Sequence, residues 1–249
     1  MNFRRMAQIE DRRMATYERK YARKVLSAIK EQGEYFIENQ IFKDTLTPVL
    51  EELYEKAMSD FLQRQWNQLE GGTVTKQGFF IDRWAVWREV FRATKLATKI
   101  TNINKTTEET IRRIVREGSE MGLEFWQIAS DIRNKTSGKI GRKRARMIAR
   151  TEVGEAVNLA KAKSSDDFES ETGMEIGKIW IHRGAKDPRD WHVAMDNGTA
   201  IKKQDRWSVT DPNTGVTDLM LHPHDPDASA GNVINCGCQA IYVRWKDDE

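Results

Sequence analysis

The sequence predicts an α+β protein: an elongated, mostly helical N-terminal region, then a small α+β domain with a long helix on a few antiparallel strands. Three observations predict it. Apolar residues recur at helical spacing through the first two-thirds of the 249 residues, and short alternating segments appear only in the last third. Four of the five prolines, with the Asp-Asn-Gly, Pro-Asn and Asp-Pro pairs, also fall in that last third, where turns are needed. The composition, 39 % hydrophobic and 32 % charged, is polar for a compact globule and suits long exposed helices and surfaces that meet partners.

Residues 4–31 read as one helix, because Met14, Tyr17, Tyr21, Val25, Ala28 and Ile29 form an apolar stripe opposite a charged face. Leu46–Leu69 reads as a second, with Leu50, Leu53, Tyr54, Met58, Phe61 and Leu62 on its stripe. The stretch EGGTVTKQG, residues 70–78, breaks the pattern, and a third helix with an aromatic-rich face follows from Phe79. Thr106 and Glu109 have capping-box spacing, which predicts a new helix start there and an end near Gly118 or Gly122. Residues 123–135 predict a shorter helix, stopped by Thr136-Ser137-Gly138. A longer helix is expected from about Ile140 to about Ser170, closed by Gly173. Strands are expected over residues 177–184, within 199–209 and over 240–245, the last with Ile241 and Val243 on one face and Tyr242 on the other. The expected division is a helical region over residues 1–100 and a second unit over 101–249.

Charge is unevenly spread. Residues 174–249 hold nine Lys/Arg and twelve Asp/Glu, a net of −3, against +3 for the whole chain, so the preceding part is basic. Such asymmetry suits a partner that is itself acidic, nucleic acid or an acidic protein face. The first twenty residues are charged throughout and lack an apolar core segment, which argues against a signal peptide. No apolar run approaches the roughly 20 residues of a membrane span. Two cysteines make no disulfide framework, so a reducing compartment, the cytoplasm, is expected.

Four stretches could carry chemistry. Residues 132–150 hold Arg133, Lys135, Lys139, Arg142, Lys143, Arg144, Arg146 and Arg150 and no acid, with Arg142, Arg146 and Arg150 on one helix face. This run suits DNA phosphates or an acidic protein surface; alternatively it is a solvated face paired with acidic loops. In RARMIARTEVGEAVNLAKA, residues 144–162, Arg150, Thr151, Glu152 and Asn158 are polar groups within a small-residue face, which predicts a buried polar network seating the helix. In RDWHVAMDNG, residues 189–198, Arg189 and His192 share a helical turn, and the histidine is a ligand, a base or a hydrogen-bonded structural group.

The fourth is HPHDPDASAGNVINCGC, residues 222–238. Cys236 and Cys238 are too close for an unstrained disulfide. With His192, His222, His224 and His182 they could supply the four ligands of a zinc ion, although CxC lacks the spacing of a CxxC knuckle. The other readings are a thiol hydrolase using Cys236 or Cys238 with His192, and a turn whose thiols pack as small apolar groups.

RARMIARTE, Asn158, KIW at 178–180 with Trp180, RDWH, Gly198, HPHDP and NVINCGC occur in that order. This set resembles the phage Mu F-like minor head proteins, also called phage head morphogenesis proteins, over about residues 100 to 245. The resemblance implies that Arg150, Thr151, Glu152, Arg189, His192, Asn235, Cys236 and Cys238 match the family's motif positions. The family has Arg where this chain has Gly237, so a role for that arginine is in doubt here. Relatives often carry glycine at the His224 position, which argues against an obligatory ligand there. The implied function is a minor capsid protein of a tailed bacteriophage, few per particle, inside the head near the portal vertex and assisting assembly or DNA packaging and delivery. The implied partners are the portal protein and other capsid proteins, with double-stranded DNA a further candidate and no membrane. No enzyme activity is expected; the alternative is a metal-dependent or thiol-based nuclease or hydrolase using His192 and Cys236 or Cys238. No cofactor is expected, with zinc the candidate should Cys236, Cys238, His192 and His222 hold an ion.

Overall fold

A computed structural model describes residues 3–71, 77–183 and 188–245. The first helix, α1 (Phe3–Asn39), and the second, α2 (Thr47–Glu70), lie against the long α6 (Lys139–Thr172). Between them in sequence come α3 (Gln77–Phe91), a π-helical turn over Arg92–Leu96, α4 (Ala97–Glu120) and α5 (Phe125–Thr136). The apolar stripe of α1 is not left for a partner: Met14, Tyr21, Val25, Ala28 and Ile29 are buried in one cluster with the stripe of α2 and with Ala145, Ala149, Val153, Ala156 and Ala160 of α6. Pairing two such stripes across a third helix removes apolar surface that would otherwise face water. The expected boundary at residue 100 falls inside α4, and this cluster takes side chains from both sides of it. A second cluster joins Phe36 and Ile37 at the end of α1 to Ile111 and Ile114 of α4 and Ala129 and Ile132 of α5.

No helix starts at Thr106; α4 runs through it. The Thr106 hydroxyl donates to Asn102 O at 2.8 Å, and that of Thr110 donates to Thr106 O at 2.8 Å. Bonding back by four residues lets a threonine sit inside a helix where the sequence pattern suggests a cap. The break expected at 70–78 falls largely outside the described residues. The long helix, by contrast, ends as read: Gly173 closes α6 at φ +67°, where a residue with a Cβ is strained.

The small sheet has the order β2-β1-β5, all antiparallel, from β1 (Ile176–Ile181), β2 (Ile201–Lys202) and β5 (Gln239–Arg244). Ala240, Tyr242 and Ile176 face α6. Ile179, Ile181, Ile241 and Val243 face the other way and are covered by Phe3, Met6 and Ala7 of α1, so the start of the chain roofs the sheet. The segment 199–209 holds two strands rather than one. Its second part, β3 (Trp207–Thr210), leaves the sheet and pairs with β4 (Thr217–Met220), a strand the sequence did not suggest. In β4 only Met220 is buried and Leu219 is 61 % exposed, so no alternation of apolar residues marked it. Two single-turn helices, α7 (Asp190–Val193) and α8 (Ala230–Val233), complete the element order. Among the described residues no helix is long and apolar enough to cross a membrane.

Candidate metal centre

The frame of the site is α6, whose small buried side chains let neighbouring main chain come close. Three of its polar side chains hold the segment entering β5. Arg150 Nε donates to Cys236 O at 3.2 Å, and Thr151 Oγ1 accepts from Asn235 N at 2.9 Å. Asn158 Oδ1 accepts from Ala240 N at 2.9 Å while its Nδ2 donates to Gly154 O at 2.8 Å. Asn235 sits at φ +57°, which asparagine tolerates better than most residues. From the residue before α7, Arg189 Nη2 donates to Ile234 O at 2.7 Å. The motif residues thus converge on one stretch of main chain, 234–240. Glu152 does not join them: Tyr54 Oη donates to it at 2.7 Å and Lys99 Nζ lies at 3.2 Å, so it ties α6 to α2 and α4.

Held this way, both thiols point at α7. Cys236 Sγ is 3.4 Å and Cys238 Sγ 3.8 Å from His192 Nδ1, and the three ligand atoms lie within 4.8 Å of one another. All three residues are buried, at 3 %, 1 % and 2 % exposure. Trp180 of β1 stacks edge-on with both His192 and Trp207, and Val209 and Met220 of the β3–β4 hairpin close the apolar shell around the sulfurs.

The orientation of His192 is determined by Asn232 of α8. Asn232 Nδ2 donates to Val209 O at 3.1 Å and to Asp218 Oδ2 at 2.8 Å. Its Oδ1 is therefore the acceptor, taking Trp191 Nε1–H at 2.9 Å and facing His192 Nε2 at 3.2 Å. Nε2 of the imidazole is thus the nitrogen that faces an acceptor, and Nδ1 is the one directed at the two sulfurs. A carbonyl-type acceptor on the remote nitrogen is how metal-ligating histidines are usually oriented.

The thiols share charge unequally. Cys236 is held well below its ordinary value, chiefly by the Cys238 thiol beside it and further by His192 and His224, against the effect of burial. Cys238 is pushed up by the same neighbour and by burial. The backbone N–H of Cys238 also donates to Cys236 Sγ at 3.3 Å, the amide-to-sulfur support that the CxC spacing seemed to deny. Chemically the centre is two cysteine sulfurs and an imidazole nitrogen, soft and borderline donors gathered in a buried shell.

His222 is not in the group. Its Nδ1 is 3.0 Å from Pro223 O, and it lines a separate cavity of about 760 Å³ with Asp166, Lys203 and Tyr242. The side chain that does approach Cys236 is His224. The sequence offered His224 as a possible ligand but favoured His222, and it did not point to Asn232, for which the available signal was a polar residue inside the otherwise apolar turn before NCGC.

The basic run divides. Arg142, Lys143, Arg146 and Arg150 line a groove of about 790 Å³ with Arg19 and Arg23 of α1. The acid among its lining residues, Glu18, is bonded by Arg183 at 2.8 Å. Arg133 lies outside the groove, paired with Glu34 at 3.1 Å, and Lys135 and Lys139 do not line it either.

The family model described as Phage Mu protein F like protein matches residues 109–241, just over half of the chain, from the second part of α4 into β5. Neither a curated protein nor a solved structure matches it.

Proposed function

Since the chain belongs to the phage Mu protein F like family of phage head morphogenesis proteins, we propose that it is a minor head protein of a tailed bacteriophage. It is assembled in the host cytoplasm and held inside the capsid near the portal vertex, where it assists assembly and the packaging or delivery of DNA. The family match carries this reading. The groove between α1 and α6 supports the DNA part of it: six cationic side chains from two helices line one concavity whose acid is already paired. Phosphate backbones are bound by such charge without sequence preference. We assign residues 1–100 to contacts with the portal and other capsid proteins and 101–249 to the head-morphogenesis domain. Those contacts use the outward faces of α1 and α2, since the apolar stripes are buried on α6.

One observation favours a second reading, a thiol hydrolase. Cys236, His192 and Asn232 stand as nucleophile, base and orienting group would. Their burial opposes it, because a substrate carbonyl has no approach to either sulfur in this structure.

Cross-linking mass spectrometry on intact particles tests the first reading. Cross-links from residues 1–100 to the portal protein are expected. Absence of the chain from particles, or cross-links only to exterior proteins, would overturn it.

A further inference from the structure

The cluster around Cys236 and Cys238 has three donors at the right spacing and, beside it, a fourth residue with no other use. Zn–N bonds of about 2.0–2.1 Å and Zn–S bonds of about 2.3 Å at tetrahedral angles separate nitrogen and sulfur donors by roughly 3.5 Å. His192 Nδ1 stands 3.4 and 3.8 Å from the two sulfurs. The thiols are reduced and free. Two cysteine sulfurs and an imidazole form a donor set that selects zinc over magnesium or calcium.

His224 is 1 % exposed, and neither of its ring nitrogens has a hydrogen-bond partner among the described residues. Imidazoles are seldom buried with both nitrogens unsatisfied, because each forgoes its bond to water. The ring lies on α6 where Gly154 leaves room for it: a Cβ at 154 would meet its Nε2 at 2.4 Å. It lies close enough to Cys236 to interact with it, without the alignment of a hydrogen bond. Its backbone is held in the left-handed conformation, at φ +60°. Trp180 Nε1 is likewise buried without a hydrogen-bond partner.

We infer that His192, Cys236, Cys238 and His224 form a closed, four-ligand site for a zinc ion, with His224 rather than His222 as the fourth donor. His224 stands just outside the three-atom group in this structure, so binding draws its ring across from Gly154 toward Cys236. Both thiols reach the ion as thiolates, and their protons leave to solvent. With no position open for water, the site is structural: it fastens α7, the turn at 221–225 and the segment entering β5 to one point. A protein without metal could still be a head protein, so this inference and the functional one fail separately.

The test uses the full chain purified without chelator under reducing conditions. Elemental analysis is expected to find one zinc per chain. Replacement of zinc by cobalt is expected to give the visible bands of tetrahedral cobalt with the charge-transfer absorption of thiolate ligation. His224→Ala is expected to weaken metal binding by on the order of 100-fold, in line with or beyond the effect of losing an outer-shell partner. It should also alter the cobalt bands, while His222→Ala leaves both unchanged. Substoichiometric zinc with no cobalt spectrum would overturn the site. Unchanged affinity and spectrum in His224→Ala, or the loss appearing in His222→Ala instead, would overturn the fourth ligand. Should the cysteine variants fail to fold, the two histidine variants still decide the question.

Discussion

Lys161 of α6 and Glu10 of α1 form an ion pair across 151 residues of sequence, with side chains only 1 % and 5 % exposed. Gln239 of β5 joins them: its Oε1 is 3.3 Å from Lys161 Nζ, and its Nε2 donates to Ala7 O at 3.2 Å. Burial lowers the Lys161 pKa, and the Glu10 charge opposes that fall. A buried pair of this kind is weak evidence of net stability, but breaking it leaves one charge without compensation.

Glu10→Leu is therefore expected to destabilise the protein by about 3–5 kcal/mol, and the double variant Glu10→Leu/Lys161→Met to recover most of that loss. Urea denaturation of the three proteins measures it. A single-variant loss below about 1 kcal/mol would show that the pair does not hold α1 down.

Asn158→Ala is expected to cost about 2–4 kcal/mol. It strands the buried Ala240 N–H, worth about 1–3 kcal/mol when unsatisfied, and removes a fully buried side chain, while the Gly154 carbonyl keeps its helical partner. Thermal and chemical melts should agree, and because the bond fixes the entry to β5, metal affinity should fall with stability. A variant as stable as the parent would mean that the motif asparagine does not clamp this segment.

For the groove, replacing Arg142, Lys143 and Arg146 together with Gln is expected to weaken binding to duplex DNA equally for all sequences. The slope of log K against log salt should flatten by roughly 2–3 units, at about 0.9 for each phosphate no longer neutralised. Arg133→Gln is the control, because that side chain is outside the groove and paired with Glu34. Equal effects from the control would place the DNA elsewhere.

Lys178 gives a pH dependence. It is fully buried, with Nζ donating to Leu221 O at 2.6 Å and standing 4.6 Å over the Trp207 ring. Burial draws its pKa down to about 8 from 10.5. Between those two values the unfolded chain binds more protons than the folded one, so stability gains with rising pH. Below about 8 both states are protonated and the penalty of burying the charge is present in full. The stability of Lys178→Met relative to the parent should therefore be most favourable at or below pH 8. It should decline by about 2–3 kcal/mol as pH approaches 10.5. A difference that is flat across that window would show that the amine is not desolvated.

Much of this was legible in the sequence, for reasons particular to each residue. The extent of α6 followed from a small-residue periodicity ended by Gly173. The grip of Arg150, Thr151 and Asn158 on the last strand followed from polar residues set in an apolar helix face. Thr106 misled because a threonine that bonds back to Asn102 looks, in sequence, like one that caps. The choice between His222 and His224 was out of reach. Two histidines flanking a proline are equivalent in pattern, and only the φ of +60° at His224 and the space over Gly154 separate them. The sequence shows the stripe of α1 but not what covers it, because α6 begins about a hundred residues after α1 ends.

The roof that α1 makes over the sheet has a consequence for how the chain is made. Gln239 bonds to Ala7 across 232 residues, so α1 leaves the ribosome well before the strand it covers. At translation rates of about 5–20 residues per second that interval is roughly 10–50 s. During it the N-terminal end of α1, which covers the sheet in the finished protein, has no sheet to cover. Chains stalled or cut before β5 would keep that surface exposed, as folding intermediates that expose apolar surface do.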